Sequence, residues 1–557
     1  MNTDIIKVRV WQLLIIVGPL TTLAVNPWTN FDPISVVKMM AVGVISFAVF
    51  GLLISDSRSV LSEHFRPLFI TSLIFIALIF SSFLFSGAPL DQQFWGYFGR
   101  NTGVLTYLSL TILLIAGATL NEPTFFKSIE ASLTWVSIPL GVYCLFQAAE
   151  IDPVNWSQFA VFGTLGNVNF LSGFMGLVCV ALFARLLAFD RNLLQIGRLF
   201  LLLIHLVIIS LTESIQGFVI FAVGSIVVLF LRLGSYKGGS IARVALVSLT
   251  IVGGFYAIQG LFNKGPLSAL LFQASNVLRA DYMHAGWQMT TDHPLFGVGL
   301  DSYGDWYREA RGEITTLRGS PDRNSNAAHS VFLDVSSNGG FPLLFAYLAI
   351  LSVIFVKAFK ALRLTSKSYD STLVSLFSVW VAFHFQALIS INQIGVAIWG
   401  WIFGGALFGY ASLLINQSSR SQKFDRKKFK GKLLPAKSGL LVFMFTGIGL
   451  ILSAIPQQAD SKYFAATKTG KIDLIEKAAT SLGSTAWHRN LLLDNALAAQ
   501  DSTRARNYAY SAIDRYPRSF WPWKTIWMLP DTTDQERQQV LLKLKELDPF
   551  NPEFNTP

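Results

Sequence analysis

Residues 199–232 read LFLLLIHLVIISLTESIQGFVIFAVGSIVVLFLR, and the way this stretch divides sets the orientation of everything after it. A helix of about 20 apolar residues crosses a hydrocarbon core. The stretch holds two such helices if the chain turns at its short polar break, Thr212 to Gln216, and one if it runs on. The residues alone leave one span or two open. We count two, because Glu213 and its polar neighbours form the only interruption before Arg232.

Working outward, apolar runs of spanning length begin near residues 11, 34, 66, 103, 130, 169, 199, 216, 244, 340, 372, 394 and 437, about 13 in all. The whole chain of 557 residues is 52% apolar and 14% charged, with a mean hydropathy of +0.49, too apolar for a water-soluble globule of this size. The expected fold class is therefore all-α and polytopic in a membrane. Lys7 and Arg9 precede the first run as in a signal peptide, yet no small-residue cleavage site follows and further spans come at once, so we read an uncleaved first helix. Cys144 and Cys179 both lie in apolar stretches, which excludes a disulfide framework and a thiolate metal cage.

The formal charge of +11 would suit nucleic-acid binding if the cations formed one patch, but they do not. Lys7 and Arg9, Arg58 and Arg66, Lys127, Arg191 and Arg198, the Arg232 to Arg243 loop, the Lys357 to Lys367 loop and the Arg420 to Lys437 cluster all fall on one side of the thirteen-span count. The short loops on the other side, near 28–33, 151–168 and 391–394, contain no Lys or Arg. Cytoplasmic loops carry the excess of Lys and Arg, so the N-terminus is expected in the cytoplasm and the C-terminus outside. The charge then records orientation, and no nucleic-acid partner is implied.

Two larger segments fall outside: a loop of about 75 residues, 263–339, and the tail from 456. The expected domains are thus a transmembrane unit, 1–455, and an extracytoplasmic helical unit, 456–557. The tail turns polar and reads as short helices near 459–468, 471–482, 487–499, 502–515 and 532–546. Ala498, Ala505, Ala509 and Ala512, then Pro517, Leu547-Asp548-Pro549 and Asn551-Pro552, resemble about two tetratricopeptide repeats. An irregular bundle of helical hairpins fits the same small-residue spacing. Either surface would suit a protein partner.

The loop reads LRADYMHAGWQMTTDHPLFGVGLDSYGDWYREARGE from Leu278 and NSNAAHSVFLDVSSNGGFPLLFAYL from Asn324. Arg279, Tyr282, His293-Pro294, Gly297-Val298-Gly299, His329, Leu333, Asp334 and Gly339 resemble, in order and approximate spacing, the loop of the O-antigen ligase and Wzy-type polymerase family. Gly99-Arg100 with Gly103, and GTLGNVNFLSGF from Gly163, extend the resemblance over most of 90–410. Two positions depart from the family's pattern: Ser330 follows the loop His where Asn is usual, and Ser214-Ile215-Gln216-Gly217 stands where a Ser-Arg-Gly is common. The resemblance implies a GT-C-like membrane glycosyltransferase of the bacterial inner membrane, with its catalytic loop periplasmic. Its donor would be an undecaprenyl-pyrophosphate-linked glycan and its acceptor a hydroxyl on a lipid, a glycan or a protein.

The residue types suit that chemistry. A pyrophosphate leaving group needs its developing charge met by a metal or by guanidinium groups. No metal box is visible in the sequence and no cofactor is implied. Arg279 heads the donor-site candidates, because a planar guanidinium grips phosphate oxygens in two places and keeps its charge, with Arg100 and Arg311 beside it. Arg308, Arg311, Arg318 and Arg323 crowd the same loop, and each taken singly reads more simply as a solvated surface, since eight acids accompany them. His329 is the candidate base. A helix starting near Ala327 and ending at Gly339-Gly340 would place it in a first turn, where the helix dipole favours neutral imidazole. Pro342 would then open the next span. Glu213 and Asp301 are secondary acid/base candidates, and Asp334, five residues past His329, is not expected to form a dyad with it. His293 reads as support for the turn at Pro294, and Gly297-Val298-Gly299 as a tight turn rather than a nucleotide loop.

A metal-independent, inverting glycan transferase is the reading these residues favour. A transporter or flippase of lipid-linked glycans is the alternative, but it leaves the loop with Arg279 and His329 without a purpose and shows neither internal repeats nor midplane charges. A noncatalytic envelope scaffold working through the tail is a third.

Overall fold

The computed structural model describes residues 2–57, 61–156, 160–189, 193–272, 274–416 and 433–555. Arg58, Arg191 and the 417–432 part of the basic cluster lie outside them. Every regular element among the described residues is a helix. Among the described residues twelve helices are long and apolar enough to cross a membrane, and the protein is a polytopic membrane protein.

The expected thirteenth, near residue 103, is the 15-residue helix Val104–Ala118. Its loop-side end is cut short because Arg100 to Thr102 are tied into a polar knot, and Glu122-Pro123 already opens the next helix. At 1.5 Å per residue it spans about 22 Å, less than a hydrocarbon core. Neighbouring helices cover nearly all of it, so its shortness meets protein rather than lipid. Against Ile394–Ile415 it packs backbone to backbone: a side chain at Gly405 would run into the carbonyl of Leu114. Such small-residue crossings allow close approach where the lipid tails are as apolar as the side chains.

The stretch 199–232 is two helices, Leu193–Leu211 and Gln216–Leu233, turning at Thr212 to Ile215. Both pack on Val168–Leu186, where the Ser172 hydroxyl donates to the Ser214 carbonyl. The following helix, Gly239–Leu261, buries only two glycines, so its side chains face outward along its length.

Hydrogen bonds sort the helix ends into two groups. At one end Thr164 donates to the Thr22 carbonyl, Ser35 to Gly99, Ser82 to Phe296, Ser214 to Asn169 and Asn30 to Asp460. The 263–330 segment and the C-terminal helices gather there, and we call it the loop end. The opposite end carries Arg185 paired with Glu130 and Arg232 set against Phe189, Tyr236 and Tyr369.

The tail differs from its expected outline in two places. Helix Ala436–Thr469 runs through Pro456 without a break, so the expected boundary at 455/456 falls inside it. Its Asp460 accepts from Asn30, from the Asp32 backbone and from the His488 ring, which ties the tail's root to the turn after the first helix. Helix Phe520–Met528 was not foreseen, because Pro522 and four tryptophan or phenylalanine residues in it give no 3.6-residue pattern. Pro522 sits in the first turn, where its missing N–H costs no hydrogen bond. Ala486–Ala498 pairs with Ser502–Arg515, and Phe520–Met528 with Asp534–Leu547, around Leu493, Ala505, Ala509, Ile526, Val540 and Leu544.

Candidate active site

His329 does not sit in a helical turn. The helix starts at Val331 with Ser330 as N-cap, and His329 precedes the cap in the left-handed region at φ 56°. The start expected near Ala327 is displaced because the Asp334 carboxylate accepts from the Ala328 backbone N–H at 2.8 Å, folding Ser325 to His329 back as a strap over the helix N-terminus. The helix stops where expected: Gly340 is non-helical at φ 71°, and the chain restarts with Pro342 in the next first turn.

The Gly-Val-Gly turn uses this break. Val298 and Gly299 donate their backbone N–H groups to the carbonyls of Ser337 and Asn338, at 2.8 and 3.1 Å. A side chain at Gly297 would collide with the Asn338 backbone. His293 supports the same turn, accepting from Gly297 through its carbonyl and meeting Trp306 edge-on at 4.5 Å.

Arg100 is buried and holds the strap from behind. It donates to the Asn326 carbonyl at 2.7 Å and lies between Asp301 at 3.4 Å and Asp334 at 3.6 Å. Asp301 also accepts from the backbone of Tyr97 and Thr102 and from the Thr102 hydroxyl. With its lone pairs so engaged, Asp301 knits two loops together rather than standing ready as an acid or base. Glu213 is exposed on the turn between Leu193–Leu211 and Gln216–Leu233 and joins no part of this cluster.

Across from the strap runs helix Ala274–Asp292, carrying Arg279 and, almost one turn later, Tyr282. The Tyr282 ring stacks on His329, with centroids 4.9 Å apart. Arg279 is half-buried and has no ion-pair or hydrogen-bond partner among the described residues. Burial, followed by the positive charges of Arg279 and Arg100, pushes the His329 pKa down to about 4. The imidazole is therefore neutral at physiological pH, and the cause is desolvation and two guanidinium groups rather than a helix dipole.

Arg311 is not brought to this cluster. It is buried, donates to both Asp548 oxygens at 2.8 Å and to the carbonyls of Pro321 and Arg323, and so bolts the loop to the tail. Arg308 meets the same Asp548 at 3.0 Å. Arg311, buried, and Arg308, part-buried, are anchors to a buried carboxylate, not the solvated surface that the loop's mixed charge suggested, whereas Arg318 pairs with Asp281 at the surface. Asp548 belongs to the Leu-Asp-Pro corner whose sequence signalled only a turn. Among the described residues no group of three His, Cys, Asp or Glu is placed to hold a metal ion.

Fold and site thus define a polytopic membrane protein that presents, at one end of its helices, a neutral imidazole within electrostatic reach of a guanidinium that has no partner among the described residues. Residues 199–348 match the family model for O-antigen ligase, Wzy_C, and this match supports a relationship to the O-antigen ligase/polymerase family. The matched segment begins at the helix pair read first above and ends beyond the Gly340 kink, so it contains both Arg279 and His329. No curated protein matches the chain.

Proposed function

We propose that the protein moves a glycan from a polyprenyl-pyrophosphate carrier, of the undecaprenyl type, onto an acceptor hydroxyl at the outer face of the bacterial inner membrane. The observation that carries this reading is the neutral His329 imidazole beside the uncommitted Arg279 guanidinium, within the matched domain. The basic helix ends would lie in the cytoplasm and the loop end, with the tail, in the periplasm.

In this reading the acceptor oxygen attacks the anomeric carbon as the bond to the pyrophosphate oxygen breaks. The electron pair leaves with the diphosphate, whose charge Arg279 meets, and the hydroxyl proton passes to His329. A single displacement inverts the anomeric centre, and guanidinium groups supply the charge stabilisation without a metal. Arg100 acts from behind, holding the strap and adding positive potential. An imidazole titrating near 4 is a weak base, and a bound diphosphate would offset the Arg279 charge and raise its basicity. The carrier's tail would approach across Trp287 and Phe345, both well exposed, with Phe341 stacked edge-on against Trp287.

A lipid A core sugar, another lipid-linked repeat and a protein Ser or Thr share this acceptor chemistry. Mass spectrometry of envelope glycans from a deletion strain tests the proposal. Accumulated lipid-linked glycan, with the matching glycan missing from one acceptor, is the expected result. Unchanged acceptors would contradict it.

A further inference from the structure

Between the loop and the C-terminal helices lies a cavity of about 320 Å³. Tyr97, Asp305 and Asn324 form its loop side, and Asn490, Phe520 and Trp521 its tail side. We propose that this seam binds the sugar chain of the glycan substrate beyond the sugar whose anomeric carbon reacts, an inference that rests on the transfer reading above.

The chemistry of the walls points to sugar. Three aromatic rings line the cavity, Tyr97, Phe520 with the Arg308 guanidinium over its ring at 4.1 Å, and Trp521; such rings suit the C–H side of a pyranose, and the amides and carboxylate around them offer donors and acceptors for ring hydroxyls. Asn490 and Arg518 also line the cavity and add polar side chains to its tail side.

The cavity is not a second phosphate site. Its cations each have a carboxylate partner: Arg308 meets Asp548, which it shares with Arg311, Arg518 meets Glu309, and Lys524 meets Glu553 at 2.7 Å. Those pairs also fix the walls, since the first two cross from the loop to the tail. The position suits a chain leaving the transfer site. Gly304, on the cavity wall, packs on Ser325 and Asn326, and the Asn326 carbonyl is the one Arg100 holds beneath His329. The strap that carries His329 thus also backs the cavity wall at Gly304, the side from which successive sugars of one glycan would enter the seam.

The test uses the full chain in lipid nanodiscs and fluorescent oligosaccharides cut, free of carrier, from the host's own surface polysaccharide. Wild type should bind multi-repeat probes about tenfold more tightly than single-repeat ones. Trp521→Ala and, on the loop side, Asn324→Ala should each bring that ratio toward one, and thermal melts identify any variant that has merely unfolded. Asn324→Ala leaves the tail untouched and keeps the test valid if Trp521→Ala does not fold. A wild-type protein without length preference, or variants that keep the full ratio, would overturn the inference. So would a variant that loses glycosylation of a protein acceptor while binding the oligosaccharides normally. Binding is read without transfer, so failure of the transfer reading would show separately, as an absence of new glycosidic bond with every donor.

Discussion

The ring of Tyr282 lies on the ring of His329, 4.9 Å between centroids and 26° apart. This stack shields the imidazole from water on one face and links it to the helix that carries Arg279. Tyr282→Phe should keep both the stack and the activity. Tyr282→Ala should admit water, bring the His329 pKa back toward the usual 6.5 or so, and lower the transfer rate, as histidine NMR titration and kinetics will show.

The low pKa also predicts how stability follows pH. Between about 4 and about 6.5 the unfolded chain binds a proton at His329 that the folded chain does not. The folded state is therefore disfavoured as pH falls through that window, and the effect is complete near pH 4. His329→Gln should remove this component, so that melting temperature falls less between pH 7 and pH 5 than in wild type.

Arg279 bears on both reacting groups. Arg279→Ala should cost about 10²–10³ in rate, the range seen when one preorganised charge-stabilising donor is lost. Arg279→Lys should recover only part of it, because an ammonium grips the diphosphate at one point rather than two. The same alanine variant should raise the His329 pKa, since a nearby positive charge has gone.

Arg100 serves two buried acids at once. Arg100→Ala would leave Asp301 and Asp334 without their cation and should destabilise the loop by about 3–5 kcal/mol. Adding Asp334→Asn should recover part of that loss in chemical denaturation, whereas a purely catalytic Arg100 would show no such rescue.

Asp548→Asn would leave Arg308 and Arg311 facing a neutral amide in a buried setting. The seam should loosen, and limited proteolysis should cut within 311–324 faster than in wild type. Equal cutting rates would mean the two arginines contribute little to docking.

The membrane helices were legible because each apolar run is its own signal, and even the turn at Thr212 to Ile215 is marked by polar residues. The Gly340 break was legible for the same local reason, two glycines followed by Pro342. The position of His329 was not. The strap depends on Arg100, which is 226 residues from the Asn326 carbonyl it holds, and on a carboxylate that returns to the Ala328 backbone. Likewise Arg311 meets Asp548 across 237 residues, and neither residue's neighbours hint at the other. Candidate chemistry could be named from residue type, but which arginine stays free and which is spent as an anchor is decided by packing over long separations.

The central claim is that His329 and Arg279 together transfer glycan from a lipid carrier. Purified protein in liposomes, given lipid-linked oligosaccharide and an acceptor with EDTA present, should yield a new glycosidic bond and free polyprenyl pyrophosphate in equal amounts, and His329→Ala should abolish both. Movement of the intact lipid-linked donor between leaflets with no new bond, or undiminished transfer by His329→Ala, would contradict the account.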